Sequence, residues 1–103
     1  MEYKNLAGLL ESTGYPVVYH HFKKPPPPPY IVYLFTRSNH FGADNKVLAK
    51  FNRFQVELYT KSKQPEAEKK IEDALDGADI FYEKSEIFLE TEELYQIVYE
   101  ILV

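Results

Sequence analysis

Three histidines are the residues with the clearest capacity for metal chemistry. His20 and His21 are adjacent in the sequence, and His40 follows nineteen residues later. Residues 17 to 22 are β-branched or aromatic enough to predict a strand, in which neighbouring side chains point to opposite faces. Two such histidines cannot bind one ion from the same face. We therefore expect surface histidines and no metal site.

Carboxylates and hydroxyls offer the other routes to catalysis. The acidic pairs lie in polar stretches where no apolar pocket is expected, so general acid–base chemistry is not indicated. These pairs are Glu66 with Glu68, Glu72 with Asp73, and Glu92 with Glu93. The chain has no cysteine, no Gly-x-Ser-x-Gly segment and no glycine-rich phosphate loop. The sequence predicts a binding or assembly protein, with no enzymatic activity and no cofactor.

A run of five prolines is the sharpest local feature. It consists of Pro25, Pro26, Pro27, Pro28 and Pro29, and it follows Lys23 and Lys24. Because proline fixes φ and lacks an N–H donor, the run predicts a stiff polyproline II connector at the surface. Two interpretations stay open. The run is a rigid spacer between two strands, which its strand-like flanks favour, or a ligand for an SH3-like or WW-like aromatic groove.

Composition limits the classes of function. The chain has 103 residues, 45% of them hydrophobic, which suits one globular domain. Its formal charge of −4 disfavours specific nucleic-acid binding, because phosphate contacts need clustered positive charge. We expect neither a signal peptide nor a membrane span. Nine tyrosines and seven phenylalanines indicate a sheet whose tyrosine-rich side is either solvated or an interface.

The first half of the chain should supply one helix and two strands before a loop. Residues 2 to 13 carry apolar residues at helical spacing, and Gly14 suits the end of that helix. Beyond the strand at 17 to 22, residues 30 to 36 are apolar on both faces, which predicts a central or interface strand. Residues 37 to 46 are polar. Within them, Asp44-Asn45 favours a turn over a calcium loop.

The second half should supply a long strand, a helix and further strands. Residues 47 to 60 alternate cleanly from Phe54 onward and should pair with strand 30 to 36. A helix should run from Pro65 to Gly77. Segments 80 to 82 and 85 to 89 are strand-like. Residues 94 to 103 fit a helix or a strand, and their tyrosines and β-branched residues favour the strand.

Together these elements predict an α+β fold for residues 1 to 103 as a single domain. One antiparallel or mixed β-sheet should be packed by two α-helices, in the order α-β-β-β-α-β-β.

Five segments carry a resemblance to a known family. They are Thr13-Gly14-Tyr15-Pro16 after the first helix, the strand from Tyr30, the stretch from Arg53 to Lys61, the helix from Pro65 to Leu75, and the strand from Tyr95 to Ile101. In the order and length of these elements, nearly the whole chain resembles the tail-completion, or tail-terminator, proteins of long-tailed phages and of prophages in Gram-positive bacteria. The match lies in the pattern of elements and includes no catalytic signature.

The resemblance implies a ring of identical subunits, expected to be a hexamer, at the head-proximal end of the tail tube. Such a ring ends tube polymerisation and joins tail to head. The implied partners are further copies of the chain, the tail-tube protein and the head connector, with no cofactor. The implied location is the tail or neck of the virion, after assembly in the host cytoplasm.

A ring with heterologous contacts needs two different complementary patches on each subunit. We expect those contacts to involve the proline run together with Tyr30, Tyr33, Phe41, Tyr95 and Tyr99. Two alternatives remain open. One is another neck, head-completion or minor capsid protein. The other is an adaptor whose residues 25 to 29 bind an aromatic groove.

Overall fold

The computed structural model describes residues 3–103, and their side chains from residue 5 onward. The elements are α1 (Tyr3–Glu11), β1 (Val17–Tyr19), β2 (Tyr30–Ser38), β3 (Phe41–Ala43), β4 (Lys46–Ala49), β5 (Asn52–Thr60), α2 (Pro65–Gly77), β6 (Tyr82–Leu89) and β7 (Leu94–Leu102). The predicted α+β class with two helices is confirmed. The order contains two more strands than predicted, because β3 and β4 form a hairpin of their own.

Five strands form one mixed sheet in the order β1-β2-β5-β7-β6. Strand β1 is parallel to β2, and the other neighbouring strands are antiparallel. The predicted pairing of the second and third strands is confirmed by β2 and β5, in which Tyr33 lies opposite Val56. Strand β7 lies between β5 and β6, so the ambiguous last segment is a strand.

The hydrophobic core lies between the helices and one face of the sheet. Helix α2 begins at Pro65, as predicted, and buries Ala67, Ile71 and Leu75. Helix α1 contributes Leu6 and Leu10 to the same cluster. The sheet contributes Ile31, Tyr33, Phe54, Val56, Leu58, Ile97, Tyr99 and Ile101. Every second residue of β5 enters the core, which confirms the predicted alternation.

The opposite face of the sheet carries half-exposed side chains, such as Gln55, Glu57 and Tyr59 of β5. At one end of this face, residues 20 to 29 pass over β2. The Phe22 ring there packs edge-on against Tyr30, with ring centroids 5.5 Å apart. Tyr30 and Val32 are consequently buried although they face away from the helices. Strand β2 is thus apolar on both faces because both faces are covered within the fold, as in an inner strand.

Several predicted boundaries are wrong. Strand β1 ends at Tyr19, three residues early, because His20 has a φ of 71° that turns the chain out of the sheet. The predicted loop over 37–46 includes β3, and the predicted strand over 47–60 is two strands with a break at residues 50 and 51. Segments 80–82 and 85–89 give a single strand, β6. The predicted first residue of α1, at position 2, lies outside the described residues.

Gly14, expected at the end of the first helix, has a left-handed φ of 89° that favours glycine, although α1 itself ends at Glu11. None of the helices described over residues 3–103 is long and apolar enough to cross a membrane.

Candidate interaction surface

The two adjacent histidines face each other, so their predicted placement on opposite faces is wrong. Because β1 ends before His20, both rings lie in the bend that follows, and their Nδ1 atoms are 2.9 Å apart. At that distance one ring donates a hydrogen bond and the other accepts it. His40 lies elsewhere and accepts a hydrogen bond at Nδ1 from the Phe51 amide, at 3.0 Å. Within residues 3–103, no group of three metal-ligating side chains could hold an ion.

Two of the carboxylates considered above for catalysis, Glu68 and Glu72, are engaged in structural ion pairs where α2 meets β6. Glu68 is almost fully buried, with Lys63 at 2.7 Å and Lys84 at 2.6 Å. Glu72 lies 2.8 Å from the Lys84 ammonium and accepts a hydrogen bond from the Tyr99 hydroxyl. Glu66 is exposed in the first turn of α2, where a negative charge stabilises the helix dipole. The prediction of no enzymatic activity stays a prediction.

The hairpin β3–β4 projects from the end of the sheet as a separate two-stranded unit. Its turn is Asp44-Asn45, and both residues have left-handed φ values, of 52° and 62°. Two such residues make the type I′ turn that matches the twist of a hairpin. The predicted turn at Asp44-Asn45 is therefore confirmed. We call residues 37–53, from the end of β2 through the hairpin to the start of β5, the hairpin arm.

The hairpin arm exposes an unusual amount of apolar surface. Phe41 is 64% exposed and Leu48 61%, and Val47 and Phe51 are also exposed. Four basic residues accompany them against the single carboxylate of Asp44. These are Arg37, Lys46, Lys50 and Arg53. A cluster of this kind on a projecting hairpin is typical of a protein-binding surface.

Gly42 sets how closely the two strands of the hairpin arm approach. A Cβ atom at this position would lie 2.8 Å from the backbone oxygen of Lys46, closer than ordinary contacts allow. We expect Gly42→Ala to distort the hairpin and to speed amide hydrogen exchange across residues 41–49. The melting temperature should change little, because β3 and β4 lie outside the five-stranded sheet.

Gly8→Ala is the matched control, because an added Cβ there would meet nothing within 4 Å. Gly8 lies in α1, where alanine should raise the free energy of unfolding by about 0.5–1 kcal/mol. Unchanged exchange in the hairpin of the Gly42 variant would contradict this account of the arm.

The residues predicted to make contacts do not form one surface. Tyr30, Tyr33 and Tyr99 are buried within the fold of the single chain. Tyr30 stacks on Tyr59 at 5.0 Å between ring centroids, and Tyr33 packs edge-on against Tyr19 at 5.2 Å. These three side chains stabilise the fold of the chain itself.

The other predicted contact residues lie at separate places. Phe41 is in the hairpin arm, and the half-buried Tyr95 packs against Phe88 near the opposite end of the sheet. In the proline run, Pro25 and Pro27 are exposed, whereas Pro26, Pro28 and Pro29 are half-buried. The run joins two strands that lie side by side, so it does not hold them apart as a spacer would.

A second exposed patch lies on the edge strand β6 and the turn that follows it. We call residues 83–93 the acidic edge, because five glutamates accompany one lysine there. The glutamates are Glu83, Glu86, Glu90, Glu92 and Glu93. Ile87 is 53% exposed and Phe88 48%, so this patch also combines apolar and charged side chains.

Sequence reasoning missed most of the hairpin arm. Of its exposed apolar residues, the sequence predicts only Phe41 as a contact, and it predicts Val47, Leu48 and Phe51 within one long strand. The signal was available, because Asp44-Asn45 between short apolar segments is typical of a two-residue hairpin. Comparison with models of protein families and with curated proteins finds no match for this chain.

Proposed function

We propose that this chain is a structural protein of the phage tail-completion class, which caps the tail tube and joins it to the head as a ring. The observation that carries the proposal is the hairpin arm, an apolar and basic projection at the end of a well-packed sheet. Such a projection suits a protein that works by contact with other subunits. The order of elements, on which the family resemblance rests, supports the same class.

A ring needs two unlike patches on each subunit, and the subunit has them. The hairpin arm is one, and the acidic edge is the other. The half-exposed face of the sheet, with Gln55, Glu57 and Tyr59, offers a third surface for the tail tube or the head connector. No cofactor is needed for any of these contacts.

Tail-tube polymerisation provides the test. Tubes grown from the tail-tube protein of the same genome should be shorter when this chain is present, and electron microscopy should show a ring-shaped density at one end. Tubes of unchanged length without end density would overturn the proposal. Binding to the head connector alone would favour the alternative of a head-completion protein.

A pair of matched variants makes this test specific. Phe41→Ser combined with Leu48→Ser removes exposed apolar groups from the hairpin arm, so the fold should persist while capping is lost. Phe81→Ser also replaces an exposed phenylalanine, 73% accessible, but it lies outside the arm and should leave capping unchanged.

A further inference from the structure

We propose that the hairpin arm of one copy docks on the acidic edge of the next copy, so that subunits join head to tail. This inference rests on the self-assembly contained in the proposed function, and it names the two surfaces that meet.

The hairpin arm and the turn of the acidic edge, residues 90–93, lie at opposite ends of the sheet. The hairpin arm leaves the sheet where Ser38 pairs with Asn52. The turn of the acidic edge leaves it at the other end, where Leu89 pairs with Leu94. Strand β5, which runs between these ends, has nine residues and spans about 30 Å at about 3.4 Å per residue. The longest dimension of the molecule is 49 Å.

Charge makes the two patches complementary. The hairpin arm is basic: Lys46 follows the turn at its tip, and Lys50 follows β4 at its base. On the acidic edge, the ammonium of Lys84 is held by Glu68 and Glu72, which lie on α2. The negative charges of Glu90, Glu92 and Glu93 are therefore not matched by the edge's own lysine. Two further lysines lie beside this turn: Lys61 lines a cleft with Glu90 and Glu93, and Lys63 pairs with Glu68 and Glu86.

The apolar residues of the two patches fit the same pairing. Phe41 and Leu48 would be covered by Phe88 of the neighbouring copy, whose ring packs beside Tyr95 and lines one cleft with Glu90 and Glu93. This arrangement of an apolar centre and a charged rim is common in protein interfaces. Contact between two acidic edges, or between two arms, would place like charges together.

A second copy of the chain is thus the occupant that the charges select. Because the hairpin arm and the turn of the acidic edge differ and lie at opposite ends of the sheet, the contact is heterologous, and each subunit keeps one free arm and one free edge for the next. Such a contact gives a ring if the rotation closes, and an open filament if it does not.

Charge reversal with rescue is the decisive experiment. Lys46→Glu with Lys50→Glu alters only the hairpin arm, and Glu90→Lys with Glu92→Lys and Glu93→Lys alters only the acidic edge. Each variant should weaken self-association, measured by sedimentation from micromolar to millimolar concentration, by about tenfold or more in Kd. All five replacements in one chain should restore it. An equimolar mixture of the two separate variants should contain heterodimers.

A control separates specific contact from net charge. Glu11→Lys with Glu66→Lys and Asp73→Lys, at exposed helix residues, changes the net charge by as much as the three replacements in the acidic edge do and should associate like the natural chain. If the variants altered in the arm or in the edge associate as strongly as the natural chain and keep its circular dichroism spectrum, this inference is overturned. Any ring would then have to assemble through another surface. A natural chain that stays monomeric at every concentration would overturn the self-assembly itself.

Discussion

Replacement of Tyr99 by alanine should lower the free energy of unfolding by about 4 kcal/mol, as expected for a large buried aromatic residue. Tyr99 is fully buried in β7, opposite Val56 of β5. Its ring packs edge-on against Tyr82, with centroids 5.6 Å apart. A domain of this size has only about 5–15 kcal/mol of stability in total, so the variant should be partly unfolded near physiological temperature.

Tyr99→Phe separates the ring from the hydroxyl. Burial and the hydrogen bond to Glu72 raise the pKa of Tyr99 far above its ordinary range, so the hydroxyl stays protonated and donates to that carboxylate. Its loss should cost about 1 kcal/mol. Urea unfolding followed by circular dichroism measures both effects, with the exposed Phe81→Ala as the control. If Tyr99→Ala and Tyr99→Phe lower the free energy of unfolding equally, the hydroxyl contributes the stability and packing of the ring does not.

Removal of both lysines around Glu68 should be the second most damaging change. Lys63→Met combined with Lys84→Met leaves a carboxylate buried without a cation, which should cost about 3 kcal/mol at neutral pH. Burial alone raises the pKa of Glu68, but hydrogen bonds from the two lysines outweigh it, and the pKa lies below its usual value. Without them, burial should leave that pKa raised.

The pH dependence of stability should therefore change sign at this site. In the natural chain, the lowered pKa of Glu68 gives stability that is present above the unfolded-state pKa and lost as pH falls through the folded-state value. In the double variant, the penalty should be largest at about pH 7 and should shrink toward about pH 4, as the carboxyl takes up a proton. Unfolding in urea at both pH values measures the difference.

Lys69→Met provides the matched control for this site. Lys69 pairs with Asp73 at 2.7 Å on the exposed side of α2, so its removal should leave the unfolding midpoint unchanged. If Lys63→Met with Lys84→Met lowers the free energy of unfolding equally at about pH 7 and about pH 4, Glu68 does not behave as a buried charge.

Local signals were sufficient for α2 and β5. Pro65 and Gly77 mark the two ends of α2, and the alternation from Phe54 in β5 needs only a sheet with one covered face. The sequence of β7 is ambiguous because its apolar residues fit the spacing of a helix as well as that of a strand. The ambiguity disappears only when β5 and β6 pair with it on either side, which is a long-range property.

The contact residues were harder to predict, because tyrosine suits interfaces and cores equally. Tyr30, Tyr33 and Tyr99 were selected for an interface, but the fold buries all three. Tyr33 and Tyr99 lie under the helices, and Tyr30 lies under a loop whose path no local pattern indicates. Similarly, the end of β1 depends on the left-handed conformation of His20, which β-branched and aromatic neighbours do not predict.

The two edges of the sheet have a consequence for solubility. An open edge strand presents unpaired N–H and C=O groups to other chains and invites aggregation. Strand β1 limits this hazard by being only three residues long. Strand β6 is longer, but it carries Glu83, Lys84 and Glu86, and charged residues on an edge strand oppose uncontrolled strand addition. Each edge of the sheet therefore carries a feature that opposes uncontrolled strand addition.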